Sequence, residues 1–342
     1  MRKSRLSILF PLLGAIAFLC LIAWAGLGQI WRALDQVGWP GFALICLLQT
    51  LAMGLCATAW WLLTVRMSYG ACFAARIVRD GTTSLASIVP GLGEAVGTRI
   101  LILFGMNGFA AGASILLDIA AETLALALYI SIGLVLLSYY VGWGEMVRWA
   151  GMAAVGIVPI LILYWAVRHR SARRLVYWVG DRFAILLGLG GVAVPAGLAA
   201  ALRELHGRRW AMCASVAVHL MAWVASAFQI WVIAHELDRP LGLGAALLID
   251  SLVHAARGAF YLVPWGTGIQ EGAFILVGAA VGLDAPSALA MSLIFRVRDL
   301  VLGGPAALLW GLLEWRRARL HVPATEAGEP GLANQGGERS RR

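Results

Sequence analysis

The sequence predicts an all-α, polytopic integral membrane protein, and three observations support this fold class. Hydrophobic residues make up 61% of the 342 residues and charged residues only 13%, which is about half the charged fraction of a typical soluble protein. The apolar runs are too long for transmembrane β-strands and fit helical spans of about 20 residues. Lys and Arg form short clusters between these runs, as the positive-inside rule describes. We expect about six to eight transmembrane helices.

The distribution of charge and the missing catalytic motifs limit the possible function classes. The net charge is +9, but the basic clusters separate apolar runs, which indicates topology and contact with anionic lipids rather than a nucleic-acid surface. The sequence contains no Walker loop, no G-x-S-x-G, no H-E-x-x-H and no dinucleotide fingerprint. The five cysteines form no C-x-x-C pair and no metal-ligand spacing with the histidines. We therefore expect no catalytic residues, no cofactor and no metal site.

Basic clusters and apolar runs predict the path of the first half of the chain. Arg2, Lys3 and Arg5 precede an apolar run, so we expect an uncleaved first span and a cytoplasmic N-terminus. The elements expected in this half are spans at residues 6–30, 40–65 and 109–140, outside loops at 31–39 and 142–148, and a returning span at 149–167.

The second half begins with the strongest cytoplasmic signal, a group of arginines between positions 168 and 182. Residues 183–202 are apolar but interrupted by Gly and Pro, so they form either a span or an interfacial elbow, and the three arginines that follow favour the elbow. Further spans are expected at 210–234 and 286–315. Three arginines after the last span predict a cytoplasmic C-terminus, and the polar tail at 321–342 is expected to be disordered.

Two Gly- and Pro-containing breaks predict re-entrant helical hairpins. Each leg beside a break is shorter than the roughly 20 residues that a span requires. Broken helices at membrane depth are tolerated only against protein or a water-filled cavity. The residues assigned to the breaks are Pro90, Gly91, Gly93, Pro264, Gly266 and Gly268.

The two hairpins predict an internal repeat within one domain. In each half, a Pro/Gly break with a nearby Glu precedes a short leg, a Gly/Asn or Gly/Asp turn, and a long span that carries charges. The distribution of Lys and Arg among the loops predicts that the first hairpin enters the membrane from the cytoplasm and the second from outside. This arrangement is an inverted-topology repeat. We expect one transmembrane domain over residues 1–320, with repeat one at about 40–140 and repeat two at about 210–315.

Charged residues inside the apolar stretches are the candidate substrate-binding residues. Each such charge costs roughly 2.5–3.5 kcal/mol on insertion scales, so it requires a partner or water. Glycine-rich starts of the second legs expose free N–H groups that favour an anionic group such as a lipid phosphate. The alternative is that the charges only cap helices or hold them together. The candidates are Glu94, Arg99, Asp118, Glu122, Arg257, Glu271, Arg296, Arg298 and Asp299.

The signs of these charges also predict contacts between the repeats. The i, i+4 spacing of Asp118 and Glu122 puts both carboxylates on one helix face, and Arg296 and Arg298 lie in the corresponding span of repeat two. We therefore expect the two carboxylates to form ion pairs with these two arginines.

Several stretches resemble a known family. They are Asp118-x-x-x-Glu122, His219-Leu-Met-Ala-Trp223, Asp250-Ser-Leu-Val-His254-Ala-Ala-Arg257, Pro264-Trp-Gly-Thr-Gly268-Ile-Gln-Glu271 and Arg296-Val-Arg298-Asp299. This pattern is similar to the flippase-like transmembrane region of lysylphosphatidylglycerol synthases, and most similar to the branch associated with hopanoid biosynthesis. The resemblance spans roughly residues 6–315. Trp265 and Thr267 depart from the pattern, because the family usually has small residues there.

The resemblance implies an integral protein of the bacterial cytoplasmic (inner) membrane that handles hopanoids. Because the sequence contains no soluble aminoacyl-transferase domain, the expected activity is that of the membrane half, lipid translocation. Its expected partners are hopanoid or anionic membrane lipids and other membrane-bound proteins of the hopanoid pathway, and not nucleic acid. Two alternatives stay open: a non-catalytic accessory protein of a hopanoid or glycolipid pathway, and an intramembrane transferase that uses Glu94 or Glu271 as a base.

Overall fold

The computed structural model describes residues 27–64, 67–85, 91–168, 209–259 and 268–320, and these ranges form an all-α protein without a strand. The predicted fold class, an all-α polytopic membrane protein, is therefore confirmed. Three helical segments are long and apolar enough to cross a membrane: Trp31–Leu63, Ala110–Val141 and Arg209–Glu236. The helices of the described ranges are α1 (Leu27–Leu63), α2 (Tyr69–Leu85), α3 (Leu92–Leu103), α4 (Gly108–Arg168), α5 (Arg209–Glu236), α6 (Leu243–Ala259), α7 (Ile269–Ala280) and α8 (Ala285–Leu320).

Helix α1 replaces the loop predicted at residues 31–39. It consists of two helical segments that meet at a kink at Gly38, where φ is 68° and ψ is 162°. Glycine adopts this conformation without a steric penalty, and Pro40 starts the next helical turn, where its missing N–H is tolerated. The loop prediction was wrong because two charged residues in a short polar stretch are compatible with an exposed helical turn. Most of the span predicted at 6–30, the elbow at 183–202 and the tail at 321–342 lie outside the described residues.

Helix α4 continues through the second predicted outside loop. It runs without interruption for 61 residues, which corresponds to about 90 Å at 1.5 Å per residue. The chain therefore does not reverse at 142–148, and the separate returning span predicted at 149–167 is wrong. The physical reason is that residues 142–148 contain two glycines but no proline, and a glycine costs a helix only about 1 kcal/mol.

Both predicted hairpins are present as pairs of short helices. Helices α2 and α6 have 17 residues each, and helices α3 and α7 have 12 residues each. A helix of 12 residues is about 18 Å long, which is too short to cross a hydrocarbon core of about 30 Å. The predicted break residues Pro90, Pro264 and Gly266 lie outside the described residues, and entry of the hairpins from opposite membrane faces stays a prediction.

The second legs of the two hairpins have the same backbone construction. Helix α3 begins after Gly91 and helix α7 after Gly268, and both glycines have a φ of 79°. Each leg ends in a glycine with positive φ, Gly105 or Gly282, and is closed by a backbone bond across that turn. These bonds are Met106 N to Leu101 O, 3.0 Å, and Leu283 N to Gly278 O, 2.9 Å, as in a Schellman motif. The order of elements is the same in α1–α4 and in α5–α8, and we call these two halves repeat one and repeat two. The inverted repeat itself stays a prediction.

Gly93 lies inside helix α3 and not in the break where it was predicted. A Cβ at this position would stand 2.0 Å from Thr83 Oγ1 and 2.6 Å from the carbonyl oxygen of Arg79. Because these atoms belong to helix α2, Gly93 is a point where the backbones of the two legs of the first hairpin approach closely. A hydrogen side chain is required there by space rather than by the backbone angles.

Each hairpin also contacts the long helix that ends the other repeat. Gly81 of α2 packs against Gly303 and Ala306 of α8, and a Cβ on Gly81 would stand 2.4 Å from the Ala306 Cβ. Gly133 of α4 packs against Ser251 of α6, with a built Cβ 1.9 Å from Ser251 Oγ. Close approach through small residues is the usual way in which helices associate in membranes, since lipid supplies no hydrophobic driving force. The two repeats are therefore interlocked.

Candidate functional site

A cluster of charged side chains is buried between helices α2 and α4. Arg76 binds Glu122 with its two terminal nitrogens, at 3.2 and 2.7 Å, and Arg79 binds the same carboxylate at 2.8 Å. Arg79 also binds Asp118 at 2.7 Å. Arg76, Arg79 and Asp118 are less than 10% exposed. Two guanidiniums and two carboxylates thus form a mutual network, the arrangement that makes buried charge tolerable.

Helical spacing explains why these four side chains meet. Arg76 and Arg79 are i, i+3 on α2, and Asp118 and Glu122 are i, i+4 on α4, so each pair lies on one face of its helix. Apolar residues of α2, including Cys72, Ala75 and Val78, form a hydrophobic core with residues of α3 and α4 and with Trp60 of α1.

Three further titratable groups surround this network. Asp80 accepts a bond from Arg76 at 2.8 Å, and Glu94 at the start of α3 lies 3.6 Å from Arg79. His219 of α5 contacts Asp118 through Nε2 at 3.1 Å, and both side chains are completely buried. We call Arg76, Arg79, Asp80, Glu94, Asp118, Glu122 and His219 the acidic cluster, because it holds four carboxylates and two guanidiniums.

The predicted ion pairs between Asp118 or Glu122 and Arg296 or Arg298 are wrong. The two carboxylates bind arginines of their own repeat, and Arg296 binds Glu271 of its own repeat at 2.5 Å. Arg76 and Arg79 were not predicted as site residues, because they follow Arg66 and precede the break and so resemble loop arginines. The available signal was their i, i+3 spacing within an otherwise small and apolar 17-residue helix.

Glu271 joins the second hairpin to helix α8. One oxygen, Oε1, accepts bonds from Arg296 at 2.5 Å and from the Ser292 hydroxyl at 3.3 Å. The other, Oε2, accepts the backbone N–H of Gly268 at 2.9 Å, which satisfies a free donor at the start of α7. Gln270 adds a bond to the Ser292 hydroxyl at 3.0 Å. Glu271 therefore both caps its helix and forms a buried ion pair.

Arg298 connects α8 to α5 and α1. Its guanidinium donates to Gln229 at 2.5 Å and to Asp299 at 2.6 Å, and it lies 4.2 Å from the centre of the Phe295 ring. Gln229 in turn donates to Gln49 of α1 at 3.0 Å. Because α1 and α5 begin the two repeats, this chain of polar contacts runs through the interface between the repeats.

A third group of polar side chains surrounds Asp250 of α6. Its carboxylate accepts hydroxyl bonds from Tyr129 and Ser226, both at 3.0 Å, and lies 3.6 Å from His254 Nε2. Tyr129 belongs to α4 and Ser226 to α5, so Asp250 links the second hairpin to both. Neither His219 nor Asp250 was a candidate on sequence grounds, although both occur in stretches that carried the family resemblance.

Arg257 differs from the other buried arginines. It lies two turns after Asp250 on α6, is half-buried, and forms no hydrogen bond or ion pair to any residue that the structure describes. Its electrostatic neighbours are Asp299, Arg296, Arg298 and Asp250. Within the described ranges, Arg257 is thus a guanidinium with free donors beside the charged groups of repeat two.

The predicted site residues therefore fall into separate groups. Arg99 stands apart and binds Glu314 of α8 at 2.7 Å, with both side chains about a quarter exposed. The acidic cluster contains Glu94, Asp118 and Glu122. The charged groups of repeat two contain Arg257, Glu271, Arg296, Arg298 and Asp299.

One trio of side chains has spacing compatible with metal binding. Cys56, Glu122 and His219 each place one potential ligand atom within 4.8 Å of the others. However, both oxygens of Glu122 already accept guanidinium bonds, so this carboxylate is engaged with arginine. We do not assign a metal site to these residues.

The helical architecture and the buried ion pairs define a polytopic α-helical membrane protein with a charged interior. The chain belongs to the family described as the lysylphosphatidylglycerol synthase TM region, whose model matches residues 9–306. No curated protein and no solved structure matches the chain. Membership in this family indicates a role connected with membrane lipids.

Proposed function

We propose that this protein is a lipid translocase that moves an anionic lipid or a hopanoid between the leaflets of the bacterial inner membrane, with both termini in the cytoplasm. Family membership supports a lipid substrate. The interlocked repeats, each with a helical hairpin, are an architecture common among transporters that work by alternating access. In this proposal the protein forms and breaks no covalent bond in the lipid.

The observation that carries the proposal is the guanidinium of Arg257, which has no partner among the described residues. A half-buried guanidinium without hydrogen-bond acceptors is costly unless an anion supplies them. A lipid phosphate supplies acceptor oxygens in the planar geometry that guanidinium binds best. The neighbouring Arg296 is paired with Glu271, and Arg298 with Asp299. Of these three arginines, Arg257 is the one whose N–H donors have no acceptor among the described residues and can bind a lipid headgroup.

A liposome assay tests this proposal. The purified protein is reconstituted with a trace of fluorescent phosphatidylglycerol or phosphatidylcholine, and dithionite then bleaches the label that reaches the outer leaflet. We expect the protein to expose inner-leaflet label of the anionic lipid faster than empty liposomes do. Arg257→Gln removes a charge-assisted hydrogen bond, which is about 1.5–3 kcal/mol, so we expect the rate to fall roughly tenfold or more.

Arg239→Gln is the matched control, since Arg239 is 59% exposed and forms a surface ion pair with Asp284. This variant should retain the wild-type rate. Equal rates for Arg257→Gln and wild type would contradict the headgroup role of Arg257. Protein that moves no lipid, including extracted hopanoid, would favour the alternative of a non-catalytic accessory protein of a hopanoid or glycolipid pathway.

A further inference from the structure

The acidic cluster contains more negative than positive charge. Arg76 and Arg79 compensate Asp118 and Glu122 in the interior, and the carboxylates of Asp80 and Glu94 then remain as an excess of two negative charges. These two carboxylates are only 22% and 24% exposed. In apolar surroundings such an excess favours the uptake of protons.

His219 is the group positioned to take up a proton. Asp118 accepts bonds from Arg79 and Arg76 at one oxygen, Oδ2, which is the charge-assisted arrangement of an ionised carboxylate. A carboxylate oxygen accepts hydrogen bonds only, so the 3.1 Å contact requires His219 Nε2 to carry the hydrogen and to donate it. The lone pair of the neutral ring therefore lies on Nδ1, which is buried and has no hydrogen-bond partner among the described residues.

We propose that His219 is the proton-binding site that couples lipid movement to the transmembrane pH gradient. This inference rests on the proposed translocase function. A proton added to Nδ1 leaves the Nε2–H bond to Asp118 intact and converts it into an ion pair. It also removes one unit of the negative excess, and it places a new cation between helix α5 of repeat two and helices α2 and α4 of repeat one.

The surroundings of His219 account for a conformational effect of this proton. His219 contacts Asp118 of α4, and Cys56 of α1 and Glu122 of α4 place a ligand atom within 4.8 Å of its ring. Around them, Arg76 and Arg79 of α2 bind the two carboxylates of α4, and these arginines in turn contact Asp80 of α2 and Glu94 of α3. Two of these are guanidiniums, which repel an imidazolium and compete with it for Asp118. Protonation therefore redistributes the bonds of Asp118 between the two repeats, and deprotonation restores them.

Two readouts test the proposal separately. The first follows the nitrogen-15 signals of histidine in full-length wild-type protein in lipid nanodiscs between about pH 5 and about pH 8, where histidine changes its charge. We expect the His219 signals to show an Nε2–H neutral ring at high pH and a doubly protonated ring at low pH. The signal is assigned by its loss in His219→Gln or, should that variant fail to fold, by glutamine substitution of the other five histidines.

The second readout measures net movement of labelled anionic lipid in liposomes with an imposed pH gradient. We expect reversal of the gradient to reverse the net flux, and His219→Gln to abolish this dependence. His235→Gln is the control, because His235 is exposed at the end of α5 and bonds only the Trp231 carbonyl within the described residues. Its flux should follow the gradient as in wild type.

Each outcome decides one of the two proposals. Lipid movement that ignores the gradient overturns the coupling and leaves the translocase function in place. A ring that keeps one protonation state across the range, or that responds to added zinc or sodium instead of protons, overturns the proton site. Failure of all lipid movement overturns the translocase function and the coupling together, and the nitrogen-15 titration then still shows whether His219 binds a proton.

Discussion

The ion pair between Glu271 and Arg296 allows structural and functional roles of buried charge to be separated. Both side chains are at most 10% exposed and meet at 2.5 Å. Removing one partner of a buried pair typically costs about 3–5 kcal/mol, because the other charge is left uncompensated. We therefore expect Glu271→Leu and Arg296→Leu to destabilise the protein by that amount. Glu271→Leu loses about 1 kcal/mol more, since it also removes the cap on the Gly268 N–H.

The double variant Glu271→Leu/Arg296→Leu is expected to be far more stable than the sum of the single changes. Replacing both members of a buried pair by apolar residues is often close to neutral. Apart from the lost helix cap, the coupling energy between the two positions should therefore be about 3 kcal/mol or more. Unfolding in mixed detergent, followed by tryptophan fluorescence, measures this energy in a double-mutant cycle.

Lipid movement by the same variants distinguishes the two roles. If the charges act on lipid, the double variant folds but moves no lipid. If it folds and transports at the wild-type rate, the pair only holds α7 against α8, and Glu271 and Arg296 leave the candidate site. A coupling energy near zero would refute the ion-pair account, because it would mean that the two charges do not compensate each other in the folded protein.

Three further predictions concern packing and are measured by the same unfolding assay. Gly93→Ala should destabilise by about 1–3 kcal/mol, because its Cβ overlaps the neighbouring leg, whereas Gly272→Ala meets no atom of the described residues within 4 Å and should gain up to about 1 kcal/mol. Gly81→Ala should destabilise similarly by separating α2 from α8, with Gly304→Ala as its unhindered control. Tyr129→Phe removes a donor from a buried carboxylate and should cost about 1–3 kcal/mol; a neutral result would place water at that oxygen.

The breaks and turns of the backbone that depend on a single glycine were predictable from the sequence. The hairpin breaks at Gly91 and Gly268, and the turns at Gly105 and Gly282, are positions with positive φ, which only glycine adopts at low cost. The stretch at 31–39 contains one such glycine, Gly38, and it kinks helix α1 without forming a loop. The stretch at 142–148 is helical throughout. Their polar residues are equally compatible with a helix that extends beyond the apolar region, and charge patterns alone do not distinguish these cases.

The site was predictable by residue type but not by pairing. The cost of burying charge was enough to identify Asp118, Glu122, Glu271 and Arg296 from the sequence alone. Their partners depend on how a hairpin packs against the helix that follows it, which is a tertiary property. The opposite charges of corresponding spans therefore led to a wrong prediction of ion pairs. His219, which contacts Asp118, was not predicted as a site residue because the two residues are 101 positions apart in the sequence.

The two repeats share one backbone plan but differ in how their charges are balanced. In repeat two, Glu271 and Asp299 each have an arginine, and Arg257 is left with donors that no described residue accepts. In the acidic cluster, whose carboxylates and guanidiniums belong to repeat one, the guanidiniums are fewer than the carboxylates. The member of the cluster from repeat two, His219, is left with an acceptor that no described residue fills. A donor surplus suits an anion, and an acceptor surplus suits a proton. Arg257 of α6 and His219 of α5 both belong to repeat two, and His219 contacts Asp118 of repeat one. If the two repeats move relative to each other in alternating access, this contact changes, so that the same movement alters the surroundings of the anion and of the proton.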